Sequence, residues 1–191
     1  MVGILLGDGH IQQRTSTSNS KFMYTQTYKH LEYFDLIFNM FYKYCTINYL
    51  PKIKSVTNQN NIYNYKSFAT IALPCFNYYR NIFYNENGIK IIPKEIENLL
   101  TDISLTYWIM DDGSKHGKGL HLNTYGFNNQ CIERLILVLR NKFKLECSIH
   151  KKNEQSRIYI KEKSMNKVKS ITIPHMHTSM YYKLGIKYKS I

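Results

Sequence analysis

Residues 105–113 read Leu105-Thr-Tyr-Trp-Ile-Met-Asp-Asp-Gly113, and residues 1–9 read Met1-Val-Gly-Ile-Leu-Leu-Gly-Asp-Gly9. Each is an apolar stretch of helix length that stops at an acid followed by glycine. An Asp-Gly pair taken alone is an ordinary turn that ends a helix. Its recurrence in one nine-residue frame carries more information. A repeated helix that delivers one carboxylate at its end is a way to place two acids side by side, and the chain reads as two related halves.

The charge balance narrows what two such acids are for. Among 191 residues, Lys and Arg number 26 against 13 Asp and Glu, a net charge of +13. Such an excess favours a polyanionic partner: DNA, RNA or an anionic membrane surface. The plain alternative is a solvated basic surface. No run of about 18 apolar residues offers a membrane span, and no basic leader precedes Asp8. The basic residues are dispersed among aromatic ones, which suits a groove better than a membrane-surface helix. Two adjacent acids beside a nucleic acid suggest metal-assisted phosphodiester cutting. Hydrophobic residues make up 43%, enough for a real core. Cys45, Cys75, Cys131 and Cys147 match no zinc spacing and read as reduced, buried thiols in a reducing compartment.

Periodicity orders the elements. Residues 2–8 form a short apolar helix. Residues 22–29 alternate as a strand, and 31–45 form a helix with Leu31, Phe34, Phe38, Phe41 and Cys45 on one face. Pro51 starts an extended piece; the Asn58–Asn61 turn leads to a strand over 62–73. Pro74 opens a helix to about Tyr84, and Asn85–Gly88 is the clearest break. Pro93 marks a helix start with Glu95 and Glu97 in its first turn. The second half repeats this order: a helix over 103–112, a strand over 120–125, and a helix capped by Asn128 or Asn129 with Ile132, Leu135, Ile136, Leu139 and Phe143 on its face. Strands over 145–151 and 157–161 flank a turn at Asn153–Ser156. Ser164 caps a last helix that Pro174 ends. An extra strand is expected before each long helix. The expected division is 1–88, a linker over 89–102, and 103–191.

The two nine-residue segments resemble the paired motifs of the monomeric LAGLIDADG homing endonucleases. The second, Trp108-Ile-Met-Asp-Asp-Gly113, is similar to the variant of an intron-encoded mitochondrial member. The likeness continues in Lys90-Ile-Ile-Pro93, Leu122-Asn-Thr124, Leu139-Arg-Asn-Lys-Phe143, Arg157-Ile-Tyr-Ile160 and Met180-Tyr-Tyr-Lys-Leu184, and so covers nearly the whole chain. The resemblance implies an α+β fold of two pseudo-symmetric αββαββα repeats, with packed motif helices and a saddle of antiparallel sheets over DNA. Gly3 and Gly7, four apart on one helix face, suit close backbone approach. Tyr107 and Asp111 stand where the family usually has small residues, so unequal packing and unequal cleavage centres are expected. Family members usually carry residues ahead of the first motif, which here begins at residue 1.

The resemblance also implies the chemistry. Asp8 and Asp112 fall on the catalytic, metal-holding acids, with the carbonyls of Gly7 and Asp111 as further metal ligands. Mg²⁺ is the implied cofactor; Mn²⁺ substitutes, and Ca²⁺ binds without supporting cleavage. Lys90 and Lys183 match basic active-site positions, where an ammonium stabilises charge on the phosphoryl group or polarises water. The implied product is a double-strand break with 3′ overhangs at a long asymmetric site, cut by a functional monomer. The other readings are an RNA-binding maturase acting on intron RNA and a catalytically inactive DNA-binding module. DNA contacts are expected from Gln12, Arg14, Lys21, Lys52, Lys54, Lys66, Lys115, Lys118, His121, His150, Lys151, Lys152 and Arg157. Strand alternation sends about half of any such set to the other face. His175 and His177 form a weak metal pair without a third ligand. Seventeen Tyr and 18 Asn against two Ala point to an AT-rich gene such as a fungal mitochondrial one, hence a mitochondrial location.

Overall fold

The computed structural model describes residues 1–59, 61–152 and 155–187. Helix α1 (Val2–Leu6) is followed by β1 (His10–Gln13), β2 (Ser20–Thr27), α2 (Leu31–Phe41), β3 (Ile53–Asn58), β4 (Asn61–Ala69) and α3 (Asn77–Phe83). A short α4 (Ile96–Leu99) leads to α5 (Asp102–Asp112), β5 (Gly113–His116), β6 (Gly119–Asn123), α6 (Asn129–Asn141), β7 (Cys147–Lys152), β8 (Gln155–Ile160) and α7 (Met165–Thr172). This is αββαββα twice. Each repeat holds one antiparallel four-stranded sheet, in the order β1-β2-β4-β3 and β5-β6-β8-β7. The α+β expectation is met, and the extra strands are β1 and β5. The chain falls into two compact units, Asp8–Asn81 and Met1–Gly7 with Ile82–Ile191.

In the unit Asp8–Asn81, alternation along β2 turns Phe22, Tyr24 and Gln26 inward. Tyr33, Phe34, Ile37, Phe38 and Phe41 of α2 are buried at helical spacing. The layer between them is aromatic: Phe22 meets Phe41 at 4.4 Å between centroids, and Phe38 meets Phe68 edge-on at 5.3 Å. In the other unit, Leu120, Leu122, Ile158 and Ile160 line the inner face of the sheet, and α6 packs on β7 and β8. Asn128 caps α6, its Oδ1 accepting from the Cys131 amide at 2.9 Å. Thr101 caps α5 through the Ser104 amide at 3.2 Å.

Helices α1 and α5 belong to the same unit and approach closely at two glycines. A Cβ on Gly3 would stand 2.0 Å from the Ser104 carbonyl oxygen, and one on Gly7 2.3 Å from Asp111 Cβ. The two contacts fall at corresponding ends, so the helices run side by side in the same direction. The close approach expected of Gly3 and Gly7 is what the structure has.

Several boundaries differ from expectation. Helix α1 stops at Leu6, so Asp8 lies beyond it. Helix α4 begins at Ile96 rather than Pro93, whose carbonyl instead accepts from the Ile96 amide in a turn (3.2 Å). Ser164 stands at the N-cap of α7 but makes no side-chain cap bond; its hydroxyl accepts from the Glu146 amide at 2.8 Å instead. Cys75 is exposed, whereas the other three cysteines are buried as free thiols. Asn60 and residues 153–154 of the two expected turns lie outside the described residues.

Replacing Gly3 by Ala forces the helices apart and is expected to cost at least about 2 kcal/mol, read as a lower urea midpoint at unchanged slope. Gly126→Ala, whose Cβ meets nothing within 4 Å, is expected to stay within about 0.5 kcal/mol of the parent. Equal stability of the two variants would contradict the backbone contact.

Candidate active site and nucleic-acid interface

Two lysines far along the chain return to the ends of the motif helices. Lys90 Nζ donates to the Gly7 carbonyl at 3.2 Å, and Lys183 Nζ donates to the Asp111 carbonyl at 2.6 Å. Gly7 and Asp111 are the residues immediately before the two acids. The pairing follows the halves: the earlier lysine serves the first motif and the later one the second. Lys183 is buried, and a buried ammonium must be compensated. It sits on a 3₁₀ segment, Thr178–Leu184, capped by His177, whose Nδ1 accepts from the Ser179 amide at 3.3 Å. The His177 amide in turn donates to Met110 Sδ of α5 at 3.3 Å. His177 is thus a cap that fixes the lysine segment against α5, a use that its reading as half of a metal pair did not foresee.

The acids have unlike surroundings. Asp112, half-buried at the end of α5, lines a recess of about 170 Å³ together with Leu6, Gly7, Lys90 and Asn123. Asp8 is exposed and accepts from Gln26 Nε2 at 3.0 Å. Gln26 is itself buried. Its Oε1 accepts from the Thr27 amide at 2.9 Å and lies 3.2 Å from His30 Nδ1. Sequence reasoning missed Gln26. The available signal was a polar residue in phase with Phe22 and Tyr24 on β2, where an apolar one belongs.

The donor set fits a hard divalent cation. Carboxylates and main-chain carbonyls are oxygen ligands of the kind Mg²⁺ takes, and the carbonyls of Gly7 and Asp111 each already draw a cation in the form of a lysine ammonium.

The expected nucleic-acid contacts separate by strand face. In the first sheet, Gln12 pairs with Lys21 on the face away from α2, and Arg14 and Lys21 share a cleft of about 420 Å³ with Ser18 and Asn19. Lys54 lies on this face too, donating to Ser67 Oγ at 3.4 Å, and Lys52 is exposed just ahead of β3. Lys66 lies on the other face, paired with Asp35 at 3.2 Å and 5.5 Å from the centre of the Phe34 ring. In the second sheet, His121, His150 and Arg157 are on the face opposite the core, and Arg157 stacks on Tyr125 at 4.9 Å. Lys115 turns the opposite way, against Gly185 and Tyr182. Lys118 pairs with Glu162 at 3.2 Å in an exposed position. Lys151 is exposed and out of phase with His150. The side chain of Lys152 lies outside the described residues. Strand parity therefore puts Lys66, Lys115 and Lys151 among those off the outward sheet faces, the first two turned toward helices.

This combination of a doubled αββαββα chain and two acid-terminated motif segments defines a class, and the chain belongs to it. A model of the LAGLIDADG DNA endonuclease family matches residues 1–168. Among curated relatives, the cytochrome b mRNA maturase bI2 of Saccharomyces cerevisiae is 34% identical over 194 residues, covering 96% of this chain and 46% of the relative. The chain thus spans less than half the length of that protein. The intron-encoded endonuclease ai4 of Dictyostelium discoideum is 37% identical, covering 80% of this chain and 100% of the relative. The solved structure of the homing endonuclease I-WcaI bound to its DNA recognition sequence superposes with a TM-score of 0.88 at 29% identity, covering 96% of this chain and 83% of that one.

One histidine on the second sheet is strongly perturbed. Burial, followed by the neighbouring His116, His150 and Arg157, lowers His121 to about 4 from its ordinary 6.5. Tyr159 closes the remaining side of the ring at 5.4 Å between centroids. Between those two pH values the unfolded chain takes up a proton that the folded chain refuses. Stability is therefore expected to fall as pH drops from about 6.5 toward about 4. His121→Asn is expected to flatten that slope in urea unfolding followed across the window; an unchanged slope would contradict the assignment.

Proposed function

We propose that this chain is a site-specific double-strand DNA endonuclease that hydrolyses phosphodiesters with divalent-metal help. The observation that carries the reading is the repeated pairing of a lysine ammonium with the carbonyl just before each motif acid. A turn that merely ended a helix would have no need of a buried lysine returned from the far end of the chain.

Asp8 and Asp112, with the carbonyls of Gly7 and Asp111, are the groups that would hold Mg²⁺. Mn²⁺ would substitute, and Ca²⁺ would bind without supporting cleavage. When bound, such cations activate a water and stabilise the leaving 3′ oxygen. The chain's own groups do the remaining work. Gln26 holds the Asp8 carboxylate in one orientation. Lys90 and Lys183 place fixed positive charge where the phosphoryl group gains negative charge. On the sheet faces, Lys21, Lys52 and Lys54 suit phosphates, while Gln12, Arg14 and Arg157 suit base edges. Unlike halves in a single polypeptide suit a monomer acting on a long asymmetric site with 3′ overhangs. The AT-biased composition and the relative named as a cytochrome b mRNA maturase support a mitochondrial location.

That same relative favours a second reading, in which the chain binds intron RNA as a maturase. Cleavage of a partly randomised DNA pool separates the readings. Discrete double-strand cuts are expected in Mg²⁺ and none in Ca²⁺. Asp8→Asn and Asp112→Asn are expected each to lose at least about 100-fold in cleavage rate while still binding the recovered site. Salt-sensitive DNA binding without cuts, or variants that cut as fast as the parent, would overturn the endonuclease reading.

A further inference from the structure

Three histidines from three different strands converge on the free face of the second sheet. His121 on β6 pairs with Tyr159 of β8, and His150 on β7 pairs with Arg157. His116 on β5 is two residues from Ser114, the partner of His121, and shares its face. One ligand nitrogen from each of the three lies within 4.8 Å of the others, and His121 Nε2 is 3.0 Å from His150 Nδ1. His116 stacks on His121 with centroids 4.0 Å apart. Tyr159 backs His150 at 4.4 Å, its ring lying over Gly119, where a Cβ would come within 2.6 Å of it. The cluster is thus built around a position that excludes a side chain. The proposed cutting reaction uses none of it as a metal site.

We propose that His116, His121 and His150 form a binding site for one transition-metal ion, with Zn²⁺ as the occupant. Imidazole nitrogen suits Zn²⁺, Cu²⁺ and Ni²⁺, whereas Mg²⁺ takes oxygen. Zn–N bonds of about 2.0–2.1 Å in tetrahedral geometry separate ligand nitrogens by roughly 3.3 Å. The observed separations of 3.0 to 4.8 Å bracket that value, so small ring rotations complete the set. His116 is exposed beside the tight Gly117 turn and has room to make them. Three neutral ligands leave a fourth position open to solvent, as in zinc sites that keep a water. The ion would tie β5, β6 and β7 together across β8.

The test is titration of the metal-free full chain with Zn²⁺, without DNA, followed by the imidazole NMR signals. The signals of His116, His121 and His150 are expected to shift together and saturate at one equivalent, and the melting temperature to rise with Zn²⁺. Mg²⁺ is expected to leave them unmoved. His116→Gln and His150→Gln, at exposed and half-buried positions, are each expected to weaken Zn²⁺ binding by at least about tenfold, since even a group behind a ligand is worth 10–100-fold. Circular dichroism checks that they fold; should His150→Gln fail to, His116→Gln decides alone. Three unmoved signals, shifts confined to His175 and His177, or unchanged affinity in a folded variant would overturn the site. No outcome depends on nuclease activity, so failure of the endonuclease reading would leave this one standing.

Discussion

The contact between α1 and α5 depends on two glycines: Gly3 lets the backbone of α1 rest on the Ser104 carbonyl, and Gly7 leaves room for the Asp111 side chain. Everything at the candidate site depends on this. The contact sets the Gly7 carbonyl at the end of one helix and the Asp111 carbonyl at the end of the other, and it is against those two carbonyls that the lysines come to rest. It also explains why a helix of five residues, far too short to persist alone, is firmly in place: Ile4, Leu5 and Leu6 are fully buried. The motif glycines serve approach, and Asp112 lies where α5 ends beside it.

The two halves share this plan but differ in detail. In the nine-residue frame, Tyr107 and Asp111 of α5 stand where the first motif has Gly3 and Gly7. Burial, with the Asp111 carboxylate second, raises the Tyr107 hydroxyl above its ordinary value, as expected of a phenol packed beside an anion. Asp8 is exposed and oriented by Gln26, whereas Asp112 is half-buried in a small recess. Lys90 is half-buried at 3.2 Å from its carbonyl; Lys183 is buried at 2.6 Å from its own. The two carboxylates thus stand in different environments.

Much of this was legible in the sequence. The repeated Asp-Gly endings, the apolar phase of α2 and α6 and the Asn128 cap rest on local rules, and local rules hold where one helix face must be buried. What was not legible depends on tertiary placement. Strands β1 and β5 are only four residues long and mostly polar, too short for alternation to register. Lys66 and Lys115 looked like nucleic-acid contacts because charge alone does not reveal strand parity; one is drawn to Asp35 and the other to the segment around Gly185. Gln26 went unnoticed because its importance lies in the carboxylate it holds, a partner 18 residues away. The histidine cluster joins residues from three strands that no spacing rule connects. Lys90 and Lys183 were reached through family likeness, and their carbonyl partners depend on tertiary placement.

Under the proposed function, each lysine–carbonyl pair serves its own acid, which gives two separate cutting centres. Strand-resolved single-turnover cleavage of a recovered target, with Lys90→Met and Lys183→Met beside the parent chain, tests it most directly. Each variant is expected to slow one strand far more than the other, with the slowed strands opposite and target binding preserved. Equal slowing of both strands by either variant, or losses that follow binding alone, would contradict it.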